Sequence, residues 1–593
     1  MTTRMLPTLC VLIGGLFLSA TPVRGQVEFL QQNWPADVRQ EFYTTSQGSR
    51  IMPYRWFLAL EISNSQDSFV RVRLPELGYL PNSQSTNNPD TLPVGFVRDQ
   101  NDITKAEYIG INCAACHTNQ ISFGGKTYQI DGAPALADMW GLLSGLDDSL
   151  TATRDNAEKF DRFAAKVLGA EANNATAKTK LKSELASFVK YWSKFIQDSR
   201  VEHPWGRARI DAFGMIFNRV ASIDLGIPEN SKKPDAPVSI PFLWGTSFQN
   251  QVQWNGVADN TNDIERLGRN VGEVLGVFAE AQFRASAIFE IPMPARTSAK
   301  RFNQARLENH LKKLWSPKWP DHMGSIDPAK KQAGKALYQT HCVQCHAIVP
   351  HGEQNTPVNV SMTLLSEVRT DPKMAANATD GVASTGDLKR LFDGRSSVPR
   401  GELLQTLVQL AVVSPYRDVA PPGSILNQLT TDDLFSPTEI KAFLREIGFS
   451  EQTAQALFEA HNEKLKGYFD DLRSTLNAFE GQPESATIAA DAPPTLKYKA
   501  APLAGIWATA PYLHNGSVPN LYELLLPSNE RTSKFYVGSR EFDPKKVGFK
   551  TDAAPGTTLF DTSLEGNFNS GHDTYGTFNE EQRWQLVEYL KSL

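Results

Sequence analysis

The chain has 593 residues and a formal net charge of −5, with 41% hydrophobic and 21% charged residues. A chain of this length exceeds one ordinary hydrophobic core, so two domains are expected. The balance of charge and hydrophobicity argues against a nucleic-acid-binding protein, a disordered chain and a bundle of membrane helices.

The first 25 residues are typical of an export signal. Arg4 supplies the positive start, and residues 6–20 form an apolar stretch that is short for crossing a bilayer. Gly25 offers a small residue for cleavage, which places the mature start near Gln26. We therefore expect a periplasmic or secreted protein without stable membrane insertion; an uncleaved anchor is the alternative.

Every cysteine beyond this segment lies in a Cys-x-x-Cys-His motif, and the motif occurs twice. Two thiols at this spacing can each bond to one vinyl group of a haem, and the histidine that follows can bind the iron. The sequence thus predicts two covalently bound haem c groups with these attachment and ligand residues: Cys113, Cys116, His117, Cys342, Cys345 and His346.

Two other uses of paired cysteines compete with haem attachment. A four-cysteine zinc site usually brings its pairs within about 15–20 residues of each other, whereas 225 residues separate Cys116 from Cys342. Zinc would also leave the repeated histidine unexplained. A thioredoxin-like redox pair accounts for one motif more readily than for two.

The second axial ligand of each iron separates an electron carrier from a catalyst, because a catalyst leaves that position open or holds it weakly. Met139 follows His117 by 22 residues, but its apolar surroundings favour a core helix. No histidine occurs between His117 and His203. The first haem is therefore predicted to have the open coordination site.

Methionine ligation is disfavoured at the second haem. Met362 and Met374 are the last methionines, and both precede the main C-terminal helical stretches. Of the later histidines, His461 lies in a charged amphipathic helix that is typical of a surface. His514 and His572 lie in loops that could each cover a haem face, so both stay candidates.

The predicted organisation follows from these motifs. Residues 26–325 form an N-terminal haem c domain, and residues 326–593 form a C-terminal cytochrome c domain. A Pro- and Trp-rich connection at 313–326 precedes a helix that starts at Asp327-Pro328, and residues 578–593 form an amphipathic closing helix. Residues 400–480 indicate a helical insertion with a capped start at 436–439. The predicted fold class is mainly α, with two cytochrome c-like haem domains, long loops and helical insertions.

Beyond the motifs, several stretches resemble the bacterial di-haem cytochrome c peroxidase and MauG superfamily. Within it they are similar to the rubber oxygenases of the RoxA and RoxB kind and to their fatty-acid dioxygenase relatives. The stretches are "YIGINCAACHTNQI", "GKTYQIDGAPALADM", "RIDAFGMIFNRV", "PFLWGTSFQNQVQWNG", "RNVGEVLGVF", "TAPYLHNGSVPNLYELLLP", "FYVGSREFDPKKVGF" and "NSGHDTYGT".

This resemblance implies roles for particular residues. His117 and His346 match the proximal iron ligands, and Trp254 matches a tryptophan between the two haems that could pass electrons; its alternative is core packing. His572 best matches the distal ligand of the second haem in the oxygenases, with His514 in reserve. The peroxidases have methionine at that place, and this chain offers none there.

The resemblance further implies an oxidoreductase that acts with O2 at the first haem on an unsaturated apolar substrate, polyisoprene or a fatty acid. The alternative reactions are reduction of H2O2 with electrons from a small donor cytochrome, and electron transfer without catalysis.

Overall fold

The structure is a computed structural model, and it describes residues 27–283, 296–413, 496–573 and 575–593, with only the backbone of Arg390. Four predicted features lie outside these residues: the export signal at 1–25, most of the insertion at 400–480, the helix start at 436–439, and His461.

Sixteen α-helices occur in the described ranges, and most of them are short. The first eight are α1 Ala36–Thr44, α2 Tyr54–Ala59, α3 Leu74–Glu76, α4 Cys113–Cys116, α5 Met139–Asp155, α6 Ala157–Leu168, α7 Ala175–Asp198 and α8 Ala212–Phe217. The second eight are α9 Asp263–Gly276, α10 Arg301–Leu311, α11 Pro328–His341, α12 Leu365–Val368, α13 Lys373–Thr379, α14 Arg400–Val413, α15 Leu521–Leu524 and α16 Glu580–Lys591.

Twenty strands of two to six residues alternate with the helices in the same ranges. The first ten are β1 Val27–Phe29, β2 Met52–Pro53, β3 Phe96–Gln100, β4 Glu107–Ile111, β5 Thr118–Phe123, β6 Lys126–Asp131, β7 Arg209–Ile210, β8 Val238–Ser239, β9 Gln251–Val252 and β10 Ala258–Asp259. The others are β11 Ala281–Gln282, β12 Arg296–Thr297, β13 Ser361–Leu364, β14 Val382–Ser384, β15 Ser397–Pro399, β16 Lys497–Ala500, β17 Lys534–Val537, β18 Phe542–Asp543, β19 Gly548–Phe549 and β20 Thr558–Asp561.

These strands pair into small sheets, and two of them frame the first Cys-x-x-Cys-His motif. One sheet has the order β2-β4-β3 and the other β1-β6-β5, with β1 parallel to β6. Helix α4 carries Cys113 and Cys116 and lies between the end of β4 and the start of β5. The motif is therefore anchored at both ends by strand pairing.

Helices α11 and α16 form the frame of the second motif, as the sequence predicted. Asp327 caps α11 by accepting from the backbone N–H groups of Ala329 and Lys330. Asn579 and Gln582 form a capping box at the start of α16. The two helices cross at Gly334, where a Cβ atom would lie 1.9 Å from the carbonyl oxygen of Gln585. Only glycine permits so close an approach.

The hydrophobic core is shared between the N-terminal and C-terminal parts of the chain. One continuous cluster contains Trp34 from the N-terminal end, Leu314 from the predicted connection, and Trp507 and Leu590 from the C-terminal part. The connection at 313–326 is itself partly buried, because Leu314 is only 1% exposed and the Trp507 indole donates to the Pro317 carbonyl at 3.0 Å.

The prediction of a mainly α protein with two cytochrome c-like domains is therefore wrong. Strand pairing crosses from one part to the other, since Ser122 of β5 bridges Glu541 and its N–H donates to the Arg540 carbonyl at 2.7 Å. The sequence reading missed the strands because they are too short to show a clear alternating pattern. The predicted boundary near residue 325 stays a prediction.

No helix in the described ranges is long and apolar enough to cross a membrane.

Candidate functional site

The first motif is held by polar contacts to the N-terminal segment. The Asn112 side chain caps α4 by accepting from the Ala114 N–H at 2.9 Å, and its amide donates to the carbonyls of Phe42 and Thr45. The Gln47 side-chain oxygen accepts from the Cys113 N–H at 3.0 Å and lies 3.3 Å from the Cys113 thiol. These contacts fix the turn that presents both sulfur atoms.

His117 is oriented by a backbone carbonyl. Its Nδ1 lies 2.8 Å from the carbonyl oxygen of Pro241, which can only accept, so Nδ1 carries the hydrogen. This tautomer leaves the lone pair of Nε2 for a metal ion, as is usual for metal-binding histidines. Burial lowers the pKa of His117 to about 4, so the ring is in the neutral form that binds metals.

The second motif repeats this arrangement at the end of α11. The Nδ1 atom of His346 lies 2.7 Å from the carbonyl oxygen of Ala501, so Nε2 is again the nitrogen with a lone pair. Burial lowers the pKa of His346 as well. The Tyr338 hydroxyl, on α11, donates to the His346 carbonyl at 2.9 Å. Both predicted proximal histidines thus share one hydrogen-bonding scheme.

His572 faces His346 across a gap. The centroids of the two rings are 6.4 Å apart and their planes differ by 19°. Rings in stacking contact lie closer; Tyr498 and His514, for example, have centroids 4.2 Å apart. Two imidazole nitrogens that share a metal ion lie about 2 Å from it on either side, which places the centroids about 6 Å apart. The observed separation therefore fits one iron atom between the two rings.

The backbone at His572 is held in an unusual conformation. Its φ angle is 65°, in the left-handed region that non-glycine residues seldom adopt, and the preceding Gly571 has a φ of 103°. Such a conformation costs about 1–3 kcal/mol and persists where surrounding contacts hold it, often at functional sites. The His572 N–H donates to the Val368 carbonyl at 3.2 Å, which is one such contact. Its side-chain Nδ1 is buried and has no hydrogen-bond partner among the residues that the structure describes.

His514 is placed differently from His572. Its ring stacks on Tyr498, and its Nδ1 lies 3.5 Å from the Thr370 hydroxyl. Burial lowers its pKa to about 3, with a further contribution from nearby His572. His514 thus lies beside the second site, with its ring already packed, whereas the ring of His572 is the one paired with His346.

A cavity of about 260 Å³ surrounds the second motif, and its wall is predominantly apolar. The wall includes the attachment cysteines, the three histidines and the tryptophan singled out from the sequence: Cys342, Cys345, His346, His514, His572 and Trp254. Two thiols, a proximal imidazole, a facing imidazole and an apolar surround are the donor set and environment of a c-type haem. The residues present therefore fit this cofactor.

Residues 239–241 form a short segment that is hydrogen-bonded to residues of both sites. The Trp254 indole donates to the Ser239 carbonyl at 2.8 Å, and the Pro241 carbonyl, two residues further, accepts from His117. The Ser239 N–H donates to the His514 carbonyl at 2.8 Å. Trp254 is thus hydrogen-bonded to the segment that orients His117 and also lines the cavity of the second motif.

Buried charges near the first motif were not predicted from the sequence. Helix α9 places Arg269 and Glu273 on one face, and the Gln253 amide donates to Glu273. Burial raises the pKa of Glu273, and its charge acts on both Cys113 and Cys116. The four-residue spacing of Arg269 and Glu273 in an amphipathic helix could have indicated that they form a pair. Such charged pairs usually face solvent, so the spacing did not indicate a place near the motif.

The alternative uses of the cysteines are not supported. In the part of the chain that the structure describes, no cluster of three or more potential ligand side chains could hold a metal ion, so the four thiols do not form one zinc site. All four are free. Burial raises the pKa of Cys113 to about 11 and of Cys116 to about 12, whereas redox-active pairs depend on a lowered thiol pKa.

Comparisons with known proteins agree with a haem protein. Residues 497–536 match the model of a family described as RoxA-like, cytochrome c-like. This stretch contains Ala501 and His514. The match supports the RoxA-like haem family, but it does not support assignment to the wider peroxidase and MauG superfamily.

A full-length relative decides the family. The uncharacterized protein y4iJ of Sinorhizobium fredii (strain NBRC 101917 / NGR234) is 30% identical over 636 aligned residues, which cover 96% of this chain and 94% of y4iJ. The chain belongs to the y4iJ family. A second uncharacterized protein of the same organism, y4iM, is 39% identical over 131 residues, which cover 18% of this chain and 30% of y4iM. Membership of the y4iJ family brings no reaction with it, and the haem-cytochrome character comes from the match at 497–536.

Proposed function

We propose that this member of the y4iJ family is an exported oxidoreductase with two covalently bound haem c groups, and that it adds O2 to an unsaturated apolar substrate. The substrate class is polyisoprene or a fatty acid. The single observation that carries the proposal is the facing pair His346 and His572, 6.4 Å apart, because it assigns different tasks to the two motifs.

His346 and His572 would both bind the iron of the second haem. A haem with two histidine ligands has no position for a substrate and serves electron transfer. The first motif offers His117 as its single assigned ligand, held by Pro241. We therefore assign catalysis to the first haem and electron storage to the second.

The chain contributes binding, orientation and water exclusion at the first motif. The haem supplies the oxygen chemistry when bound. Cys113 and Cys116 would tether it, and the Pro241 carbonyl keeps the His117 ring in one orientation. Cys113, Cys116 and His117 are half-buried between β4 and β5, which would limit the access of water and favour an apolar substrate.

Trp254 is proposed to pass electrons between the two haems. Its hydrogen bond to Ser239 places it on the segment that holds His117, and its ring lines the cavity at His346. The assignment of Trp254 as a catalytic residue thus rests on its position between the motifs.

Reduction of H2O2 is the second candidate, and Glu273 favours it. A half-buried carboxyl group with a raised pKa holds a proton more readily than a free carboxyl group and could deliver it to a departing oxygen. Its electrostatic effect on Cys113 and Cys116 places it close to the first motif. In this case a small donor cytochrome would be the electron source.

One experiment separates these candidates. Full-length protein matured with its haems is supplied either with polyisoprene latex or oleic acid in air, or with H2O2 and reduced cytochrome c. The proposal expects O2 consumption and an oxygenated product without an added reductant. Peroxide-dependent oxidation of cytochrome c with no O2 uptake would assign the peroxidase reaction instead. Absence of both, with no spectral response to cyanide or carbon monoxide, would indicate an electron carrier.

A further inference from the structure

A lysine on the cavity wall has no role in the function proposed above. Lys499 belongs to β16, where it pairs with Met362 of β13, and its N–H donates to the Trp254 carbonyl at 2.7 Å. The side chain is half-buried and lines the same cavity as Cys342, Cys345 and His346. It therefore faces the space around the second motif.

The ammonium group of Lys499 has little to bind among the described residues. It donates one hydrogen bond, to the Gln249 side-chain oxygen at 2.8 Å, and none of the Asp or Glu residues described forms an ion pair with it. An ammonium group has three donors, so two remain for a partner. Gln249 is 3% exposed, which fixes the position of the one acceptor.

The charge of Arg269 disfavours the protonated form of Lys499. Burial, followed by the charge of Arg269, lowers the pKa of Lys499 to about 7. Arg269 is itself compensated, since it pairs with buried Glu308 and donates to the Asn260 side chain at 2.8 Å. Lys499 is therefore the cation at this cavity for which the described chain provides no counter-charge.

An unpaired charge is costly to remove even in part from water, and such groups in proteins are usually paired or bind a ligand. We propose that Lys499 is a cofactor-binding residue whose ammonium group pairs with a propionate carboxylate of the haem attached through Cys342 and Cys345. The inference rests on the proposed haem attachment, but it does not depend on which reaction the first haem performs. A carboxylate is the chemistry that fits the site, and an acidic substrate is the other source of one.

A positive charge on Lys499 would change the reduction potential of the second haem. A cation close to a haem stabilises the reduced iron, which carries one positive charge fewer. At a distance of about 10 Å and an effective dielectric constant of about 20, removal of one unit charge lowers the reduction equilibrium constant roughly tenfold. For a one-electron couple, tenfold corresponds to about 59 mV.

The test uses full-length protein that carries its haems, in four forms: wild type, Lys499→Met, Lys499→Arg and Lys497→Met. Lys497 is the matched control, because it lies in the same strand but is exposed. Two quantities are measured on the resting protein: the midpoint potential of the low-spin haem by spectropotentiometry, and the propionate-bending bands by resonance Raman spectroscopy. The affinity of each form for added oleic acid is measured separately.

We expect Lys499→Met to lower the reduction equilibrium constant about tenfold and to shift a propionate band. Lys499→Arg should restore most of the potential, and Lys497→Met should match wild type. The proposal is overturned if Lys499→Met has the wild-type potential and Raman bands. It is also overturned if Lys499→Met weakens only the binding of added oleic acid, because the carboxylate then belongs to the substrate. Neither readout requires turnover, so an absence of dioxygenase activity leaves this result interpretable.

Discussion

Replacement of Gly334 by alanine tests the helix crossing that supports the second motif. A Cβ atom at this position would lie 1.9 Å from the Gln585 carbonyl oxygen and 2.5 Å from its carbon, both of them backbone atoms of α16. Ordinary contact begins near 3.4 Å. Helices α11 and α16 must therefore separate by more than an ångström to admit one methyl group.

The sign of the effect follows from two opposing contributions. Overpacking of a close contact costs about 1–3 kcal/mol. Alanine is favoured over glycine inside a helix by about 1 kcal/mol. Because rigid backbone opposes the methyl group, the steric cost lies at the upper end of this range, and Gly334→Ala should lower the free energy of unfolding by about 2 kcal/mol.

Gly268→Ala is the matched control. Gly268 lies inside α9, and apart from its neighbours and the backbone of its own helix no described atom lies within 4 Å of a Cβ placed there, so only the helix preference acts. We expect this variant to gain about 0.5–1 kcal/mol. Urea unfolding, followed by circular dichroism and tryptophan fluorescence, should move the two midpoints in opposite directions. If Gly334→Ala were as stable as wild type or more stable, α11 and α16 would not cross at this glycine.

Three further predictions concern the iron ligands, haem attachment and pH. His572→Ala should convert the second haem from low-spin to high-spin in the electron paramagnetic resonance spectrum, whereas His514→Ala should leave it low-spin; the reverse pattern would assign His514 as the ligand. The double change Cys113→Ser and Cys116→Ser should reduce covalently bound haem by half, as measured from the pyridine haemochrome after acid–acetone extraction, and an undiminished content would rule out attachment at this motif. Burial raises the pKa of Asp211 to about 6, above its usual value of 3.8. The folded protein therefore holds this proton more tightly, and the resulting stability is present below about pH 4 and lost as pH rises through 6. Asp211→Asn should remove on the order of 2–3 kcal/mol of this pH dependence, seen as a flatter plot of unfolding midpoint against pH; an unchanged slope would place the titration elsewhere.

Features encoded by neighbouring residues could be predicted from the sequence. Asp327-Pro328 marks the start of α11 because a cap and a proline act within one turn. The amphipathic pattern of α16 is equally local: Leu586, Val587 and Leu590 are buried. Met139 was favoured as a core residue, and it is 5% exposed at the start of α5.

Features that depend on distant parts of the chain could not be predicted. The carbonyl groups that orient His117 and His346 belong to Pro241 and Ala501, at separations of 124 and 155 residues. No residue preference marks such a carbonyl, since every residue has one. The environment of Lys499 is likewise set by Gln249, 250 residues away along the chain.

The prediction of the fold class was wrong for a related reason. Strands of two or three residues, such as β7 and β8, are too short to show a periodic pattern, and they form only because Arg209 and Ser239 are brought together by the rest of the fold. A buried connection also resembles an exposed one in sequence: proline and tryptophan near Pro317 suggested a linker, yet Leu314 packs inside the shared core.

The mixed core has a consequence for how the protein is made. Trp34 and Tyr128 pack in the same cluster as Leu586 and Leu590, so the earliest part of the chain stays open until the final helix has been synthesised. Under the proposed haem attachment, the first pair of thiols would be accessible during that interval and half-buried afterwards. Fragments that end before the last helix should therefore be recovered as aggregates or degraded, since they lack the partners that cover those apolar side chains.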